Sequence, residues 1–241
     1  MLLSHECPAC MMELVSKYID YNYYLDVFML DKSYNRFMKN GKDIYLDCSL
    51  YERSKRSGIE DLDEGIYIAL YNKLCKIART YIVVPDKHNE SEYNINKAKE
   101  YNSISDRIVT VHGRDLDDYI SCLRYYIDNE DGIIALSAGD SFCDSTTRAR
   151  VLEKVDVKSR KIHIFGLKSP EEIHILKSVK ESIYSLDTSL PIVCTLKGLH
   201  IKDIKEKPSM IIFDEFNNEQ CYDSSLLVDN IMYMRDLYEV H

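Results

Sequence analysis

The chain has 241 residues, 45% hydrophobic and 29% charged, enough for the core and surface of one large α/β barrel or of two small domains. Its 40 acidic and 31 basic side chains give a formal net charge of −9. Because phosphate contacts need a basic face, this balance argues against strong non-specific binding to nucleic acid.

No secretory signal is visible in the sequence. The first six residues have no basic start and no long apolar stretch, and no apolar run approaches the ~20 residues of a membrane span. The eight cysteines are scattered, and several fall inside apolar runs, as buried free thiols do. We therefore expect no membrane partner and a cytoplasmic location, which is the host cytoplasm if the chain is viral.

Six short apolar runs end in a polar residue or a glycine, and a helix-like segment follows each run. Strands that are buried on both faces form such continuous runs, and helices between them indicate parallel βαβ units. The six runs, which predict a parallel sheet, cover 43–47, 81–86, 107–113, 132–139, 161–166 and 182–187.

In chain order, we predict an N-terminal extension over 1–22 and a barrel domain over 23–241. The first strand is expected at 23–29. An eighth strand is expected at either 191–195 or 210–213, and the pattern does not decide between them. Ser169 and Pro170 form a good helix start, with serine as the N-cap and proline in the first turn. The other predicted helices cover 32–39, about 62–79, 90–101, 116–127, 150–155 and 226–237.

Eight strand candidates with seven intervening helical stretches predict a single (β/α)8 TIM-like α/β barrel with a short N-terminal extension. The glycine motif of dinucleotide-binding folds is missing, and so is the phosphate-binding loop of nucleotide hydrolases. The nucleophile elbow of serine hydrolases is also missing.

The strand ends carry the candidate site. In parallel sheets the site lies at the carboxyl ends of the strands, so polar residues there should converge on one rim. Several carboxylates in one pocket suit glycosyl transfer, in which one stabilises an oxocarbenium-like centre and another handles a proton. A divalent-metal site is the competing interpretation. The converging residues are Asp47, Asp86, His112, Ser137, Asp140 and Asp187.

The segment His5-Glu-Cys-Pro-Ala-Cys10 resembles half of a zinc site. A second pair of ligands at zinc spacing is absent from the sequence. We therefore expect no cofactor and no catalytic metal at His5, Cys7 and Cys10, with a structural zinc as the less favoured alternative.

Taken in order, the strand ends resemble the tRNA-guanine transglycosylase superfamily of TIM barrels. The resemblance covers about 23–214 and is nearest to the short phage-encoded branch related to DNA 7-deazaguanine transglycosylases. The matching motifs are Asp47-Cys-Ser-Leu-Tyr51 for an Asp-Ser-Gly-Gly-Phe-like turn, Val84-Pro-Asp86, His112-Gly113, Ser137-Ala-Gly139-Asp140 and Asp187 in Ser185-Leu-Asp187.

The resemblance implies a role for each matched residue. Asp187 would be the nucleophile at the sugar, and Asp47 a proton shuttle. Asp86 would read the edge of the base, and Tyr51 would stack on it. The remaining implied substrate contacts are His112, Gly113, Ser137, Gly139 and Asp140. The chain departs from the family where Cys48-Ser49-Leu50 replaces a small-residue turn, and where Cys221 stands alone in place of a C-terminal zinc module.

We therefore predict a nucleobase transglycosylase, or a base-removing glycosylase, that acts on an N-glycosidic bond of guanine or a modified base. The expected partner is a nucleic acid or nucleotide substrate, and the sequence does not distinguish DNA, RNA or a free nucleotide. The sequence leaves open whether the protein forms a homodimer. One alternative is a non-catalytic module of phage origin that binds a nucleotide, a base or a protein. Another is a metal-dependent hydrolase that uses the rim carboxylates.

Overall fold

The computed structural model describes residues 1–25, 39–50, 62–157, 159–167, 169–205, 208 and 222–239. Eight parallel strands form one nearly closed barrel in the order β1-β8-β7-β6-β5-β4-β3-β2, and eight α-helices accompany them within these ranges. The predicted (β/α)8 TIM-like barrel is therefore confirmed. No helix in the described part of the chain is long and apolar enough to cross a membrane.

The strands are short, with three to five residues each. They are β1 (Leu2–Ser4), β2 (Asn22–Leu25), β3 (Ile44–Asp47), β4 (Thr80–Val83), β5 (Arg107–Val111), β6 (Ile133–Leu136), β7 (Lys161–Ile164) and β8 (Ser185–Asp187).

The helices lie between and after the strands. They are α1 (Met12–Val15), α2 (Glu64–Leu74), α3 (Ser91–Glu100), α4 (Leu116–Asn129), α5 (Thr147–Lys154), α6 (Pro170–Lys177), α7 (Leu190–Leu196) and α8 (Ser224–Tyr238). Ser169 caps α6 as predicted, since its side chain accepts a hydrogen bond from the backbone N–H of Glu172.

Side chains alternate between the two faces of the strands. Tyr45 and Tyr81 point into the barrel, where they pack with Ile108, Ile133 and Ala135. Their neighbours along the strands belong to the larger core beneath the helices, which includes Leu46, Ile82, Val109, Ile134, Ile162 and Leu186. Because both faces are buried, the strands read as continuous apolar runs, and this explains why the sequence revealed most of them.

Residues 1–22 are not an extension outside the barrel, which corrects that prediction. Leu2–Ser4 forms β1 and pairs in parallel with β8, so that Ser4 lies beside Asp187. Contacts to the segment before β2 bridge the remaining gap, since the Ser4 hydroxyl donates to the Tyr21 carbonyl at 2.7 Å. The strand was missed because three residues carry too little pattern.

Neither candidate for the eighth strand takes that place in the described barrel. Residues 191–195 lie in α7, where Pro191 occupies the first turn of the helix. Residues 210–213 and the predicted helix at 32–39 fall outside the described residues, apart from residue 39.

A buried ion pair between two helices on the outside of the barrel fixes the ends of two strands. Arg148 on α5 and Glu172 on α6 are both fully buried, and Nη2 of Arg148 lies 2.8 Å from Oε2 of Glu172. The same guanidinium donates to the carbonyls of Leu136, Phe165 and Gly166, at the ends of β6 and β7. It therefore fixes the carboxyl ends of both strands.

Candidate functional site

The predicted carboxylates lie at one end of the barrel. Asp47 and Asp187 are the last residues of β3 and β8, His112 follows β5 directly, and Asp86 follows β4 by three residues. Since all eight strands are parallel, these positions share the carboxyl rim. Ser137 and Asp140 follow β6 on the same rim. Tyr51, the predicted stacking residue, falls outside the described residues.

The side-chain carboxyl group of Asp47 is a weaker acid than usual. Withdrawal from water raises its pKa to about 7, and the negative charges of Asp86 and Asp187 add to this rise. Hydrogen bonds from the Tyr23 hydroxyl to Oδ2 and from the Ser49 backbone N–H to Oδ1 oppose it. Near neutral pH, Asp47 can therefore both hold and release a proton.

His112 lies between two carboxylates. Its Nδ1 is 2.8 Å from Oδ1 of Asp140, and its Nε2 is 3.2 Å from Oδ2 of Asp86. Burial by itself would lower the pKa of His112, but the two acidic partners raise it to about 9. Burial opposes ionisation of Asp86, yet the hydrogen bond and charge of His112 hold the pKa of Asp86 below its usual value. His112 is thus an imidazolium that keeps Asp86 ionised.

Asp140 is buried and connects three loops of the rim. Its Oδ2 accepts from the backbone N–H of Gly113 at 2.9 Å, and its Oδ1 accepts from the backbone N–H of Asn89 at 2.6 Å. The Asn89 side chain in turn accepts from the backbone N–H of Ser141. The loops after β4, β5 and β6 are therefore held in a fixed relation to one another.

Asp187 is held by a histidine that the sequence analysis missed. Nε2 of His163 lies 3.0 Å from Oδ1 of Asp187, and Nδ1 of His163 lies 2.9 Å from the hydroxyl of Ser185. The Gly166 backbone N–H also donates to Oδ1 of Asp187, at 3.3 Å. His163 is fully buried in the barrel, where Tyr21, Tyr45 and Phe165 pack around its ring. The signal available in the sequence was a histidine at an inward-facing position of an otherwise apolar strand.

The structure gives two predicted substrate contacts a packing role. A Cβ on Gly113 would lie 2.4 Å from the backbone N of Tyr119, so glycine is required where this loop meets α4. The Ser137 carbonyl accepts from the Tyr119 hydroxyl, and the Ser137 hydroxyl accepts from the backbone N–H of Gly139.

His88, which the sequence analysis also missed, packs against Gly139. Its ring stands nearly perpendicular to that of His112, with the ring centroids 4.9 Å apart. A Cβ on Gly139 would lie 2.1 Å from Cε1 of His88. Glycine at this position therefore leaves room for the imidazole. No sequence pattern singles out His88, because it lies in a loop.

His5, Cys7 and Cys10 do not bring three ligand atoms together. Nδ1 of His5 lies 3.1 Å from the carbonyl of Thr188, and burial lowers the pKa of His5 to about 4. Burial raises the pKa of the Cys7 thiol, which keeps it protonated. Within the described ranges, the set of side chains with metal-ligand spacing is instead His88, His112 and Asp140. No cofactor is evident in this part of the chain.

Neither a model of a known protein family nor a curated protein sequence matches the chain. The fold and the rim define its class: a (β/α)8 barrel whose carboxyl end joins a carboxyl group of raised pKa, a histidine-bound carboxylate and a carboxylate–imidazolium–carboxylate triad. Such a rim can donate a proton, stabilise a positive centre and accept hydrogen bonds from a ligand.

Proposed function

We propose that the chain breaks, or breaks and re-forms, the N-glycosidic bond of a nucleobase, as its resemblance to the transglycosylase superfamily implies. The observation that carries this proposal is the contrast between Asp47 and Asp187. The two carboxyl groups are close enough to affect one another, yet Asp47 retains a proton near neutral pH while Asp187 is held by hydrogen-bond donors. Two carboxyl groups with different tasks are what glycosyl transfer requires.

Asp187 has the surroundings of a group that acts on the sugar. Among the described residues, both hydrogen bonds to its carboxylate fall on Oδ1. Oδ2 is therefore the atom available to attack C1′, or to stabilise the oxocarbenium-like centre that forms as the bond to the base breaks. The contact between His163 Nε2 and Oδ1 fixes the orientation of the group.

Asp47 would exchange a proton with the departing or arriving base. A catalytic acid works best when its pKa lies near the working pH, and the pKa of Asp47 is raised to about 7. The turn after it supports this role. Ser49 stands where the family turn has its first glycine, and it adopts the left-handed conformation (φ 54°) that glycine accepts at no cost. Ser49 thus adopts a backbone conformation that a glycine at this position would also allow.

Asp86 would recognise the base. Held ionised by His112, it is an acceptor for the N–H groups of a purine edge. If the target base lies in a duplex or a folded RNA, it must leave the stack, at a cost of roughly a few kcal/mol.

The direct test is exchange or release of a labelled base. The protein is incubated with labelled guanine or 7-deazaguanine and with DNA, RNA or free nucleoside, and incorporation and base release are both measured. We expect turnover on one of these substrates, which Asp187→Ala abolishes. Asp131→Ala is the matched control, because Asp131 is an exposed carboxylate paired only loosely with Arg160.

Two results would contradict the proposal. Turnover by the Asp187→Ala protein at the wild-type rate would exclude the assigned nucleophile. Tight nucleotide binding by the wild-type protein without any turnover would favour the alternative of a binding module.

A further inference from the structure

We infer that His88, His112 and Asp140 bind a divalent transition-metal ion of the zinc class at the barrel rim. Each residue offers one ligand atom, and the three atoms lie within 4.8 Å of one another. They come from the loops after β4, β5 and β6, so the fold rather than local sequence brings them together. None of the three is Asp47 or Asp187, and although His112 also contacts Asp86, metal binding can be measured without nucleobase turnover.

The surroundings of Asp140 and His112 orient them as ligands. The Gly113 N–H holds Oδ2 of Asp140, and the Asn89 N–H takes one side of Oδ1, which leaves the other side facing the imidazole of His112. Nε2 of His112 is directed at Asp86, the arrangement in which a carboxylate fixes the tautomer of a metal-binding histidine. Nδ1 of His112 is then the ligand atom. An ion would replace the proton that Nδ1 otherwise donates to Asp140.

His88 completes the set from the solvent side. Its Nδ1 lies 3.9 Å from Oδ1 of Asp140, too far for a hydrogen bond but suitable for two ligands of one ion. The His88 side chain is 42% exposed while that of Asp140 is fully buried, so an ion has a path from solvent. The ring lies against Gly139, where a methyl group would displace it.

The ligand set indicates the kind of ion. Two imidazoles and one carboxylate suit zinc or cobalt better than magnesium or calcium, which prefer oxygen ligands throughout. Three protein ligands leave a coordination position for water or for a bound molecule, as in catalytic rather than structural zinc sites.

The test is metal binding to the full chain after dialysis against a chelator. CoCl2 is titrated and followed by its absorption spectrum, and ZnCl2 is titrated by calorimetry. We expect one ion per chain and a cobalt spectrum without the charge-transfer band of thiolate ligands, a band that would reveal binding at cysteines instead. His88→Ala and Gly139→Ala should each weaken binding more than about tenfold, and Asp86→Asn about 10–100-fold.

The controls separate this site from other ligands and from misfolding. His174→Ala removes an exposed histidine on α6 and should bind like the wild type. Gly139→Ala keeps every ligand, so weaker binding with an unchanged circular dichroism spectrum would report displacement of His88 alone. The inference is overturned by absence of stoichiometric binding, by a thiolate band, or by equal affinity in wild type and His88→Ala.

Discussion

The imidazole of His163 on β7 reaches across to Asp187 on β8, with 3.0 Å between Nε2 and Oδ1. The same ring meets the Ser185 hydroxyl through Nδ1, one inward position earlier on β8. His163 therefore ties two successive inward-facing side chains of the neighbouring strand to one another. The Asp187 carboxylate is therefore held by this ring as well as by the Gly166 N–H.

Replacing His163 should reduce both stability and activity. In His163→Ala the buried Asp187 and Ser185 lose a partner, which costs about 1–3 kcal/mol for a buried polar group left unsatisfied. We also expect kcat to fall more than KM changes, because Asp187 acts in the transition state. Urea unfolding and steady-state kinetics measure the two effects. An unchanged free energy of unfolding would show that the hydrogen bonds to His163 contribute nothing to the fold.

Asp187→Asn should separate the fold from the chemistry. The amide oxygen can still accept from His163 and Gly166, so the urea midpoint should shift only slightly. A neutral amide cannot stabilise a sugar cation, so base exchange or release should be lost. The Asp131→Ala protein serves again as the reference for an exposed carboxylate. Wild-type turnover by the asparagine variant would place the reaction elsewhere on the rim.

The raised pKa of Asp47 predicts a particular dependence of stability on pH. Between its ordinary value of 3.8 and about 7, the folded protein holds a proton at Asp47 that the unfolded chain releases. The stability contribution of this group is therefore present below about pH 4 and is lost as the pH rises to about 7. As the pH rises over this interval, the free energy of unfolding of the wild type should fall relative to that of Asp47→Asn. Parallel urea titrations of both proteins measure the difference, and equal slopes would contradict the shift.

Two arginine–carboxylate pairs should differ sharply in their contribution to stability. Arg148→Met leaves the fully buried Glu172 without its partner, which we expect to cost about 3–5 kcal/mol. The double variant Arg148→Met with Glu172→Met should recover part of that loss, since no buried charge remains. Arg114→Ala breaks an exposed pair with Asp118, which water screens, and should cost much less. Thermal or urea unfolding compares all three, and similar costs for the two single variants would contradict the role of burial.

The barrel could be predicted because its strands are buried on both faces. Ile133–Leu136 and Arg107–Val111 are mainly apolar segments that begin after a glycine and an aspartate. They can be recognised as strands without tertiary information. β1 could not be found this way. A segment of three residues is too short to show the apolar periodicity of a strand. Leu2–Ser4 forms a strand because it pairs with Ser185–Asp187.

The candidate site was predictable in part. Asp47 and Asp187 end their strands, and parallel topology alone places them on one rim. The partners of these residues follow from three-dimensional proximity. His163 lies inside a strand, and His88 lies in a loop that meets Gly139 only after folding. The sequence therefore predicted where the carboxylates lie, but it did not predict which groups determine their ionisation.

The pairing of β1 with β8 has a consequence for synthesis on the ribosome. Leu2 pairs with Ser185, and His5 contacts the Thr188 carbonyl, a separation of 183 residues. β1 therefore leaves the ribosome before β8 and has no partner until the residues between the two strands have been made. Loop closure over such a distance is entropically costly and slow, so β1 waits with its apolar residues and backbone groups unpaired. During that interval the nascent chain has an unpaired strand edge at the position that later supports Asp187.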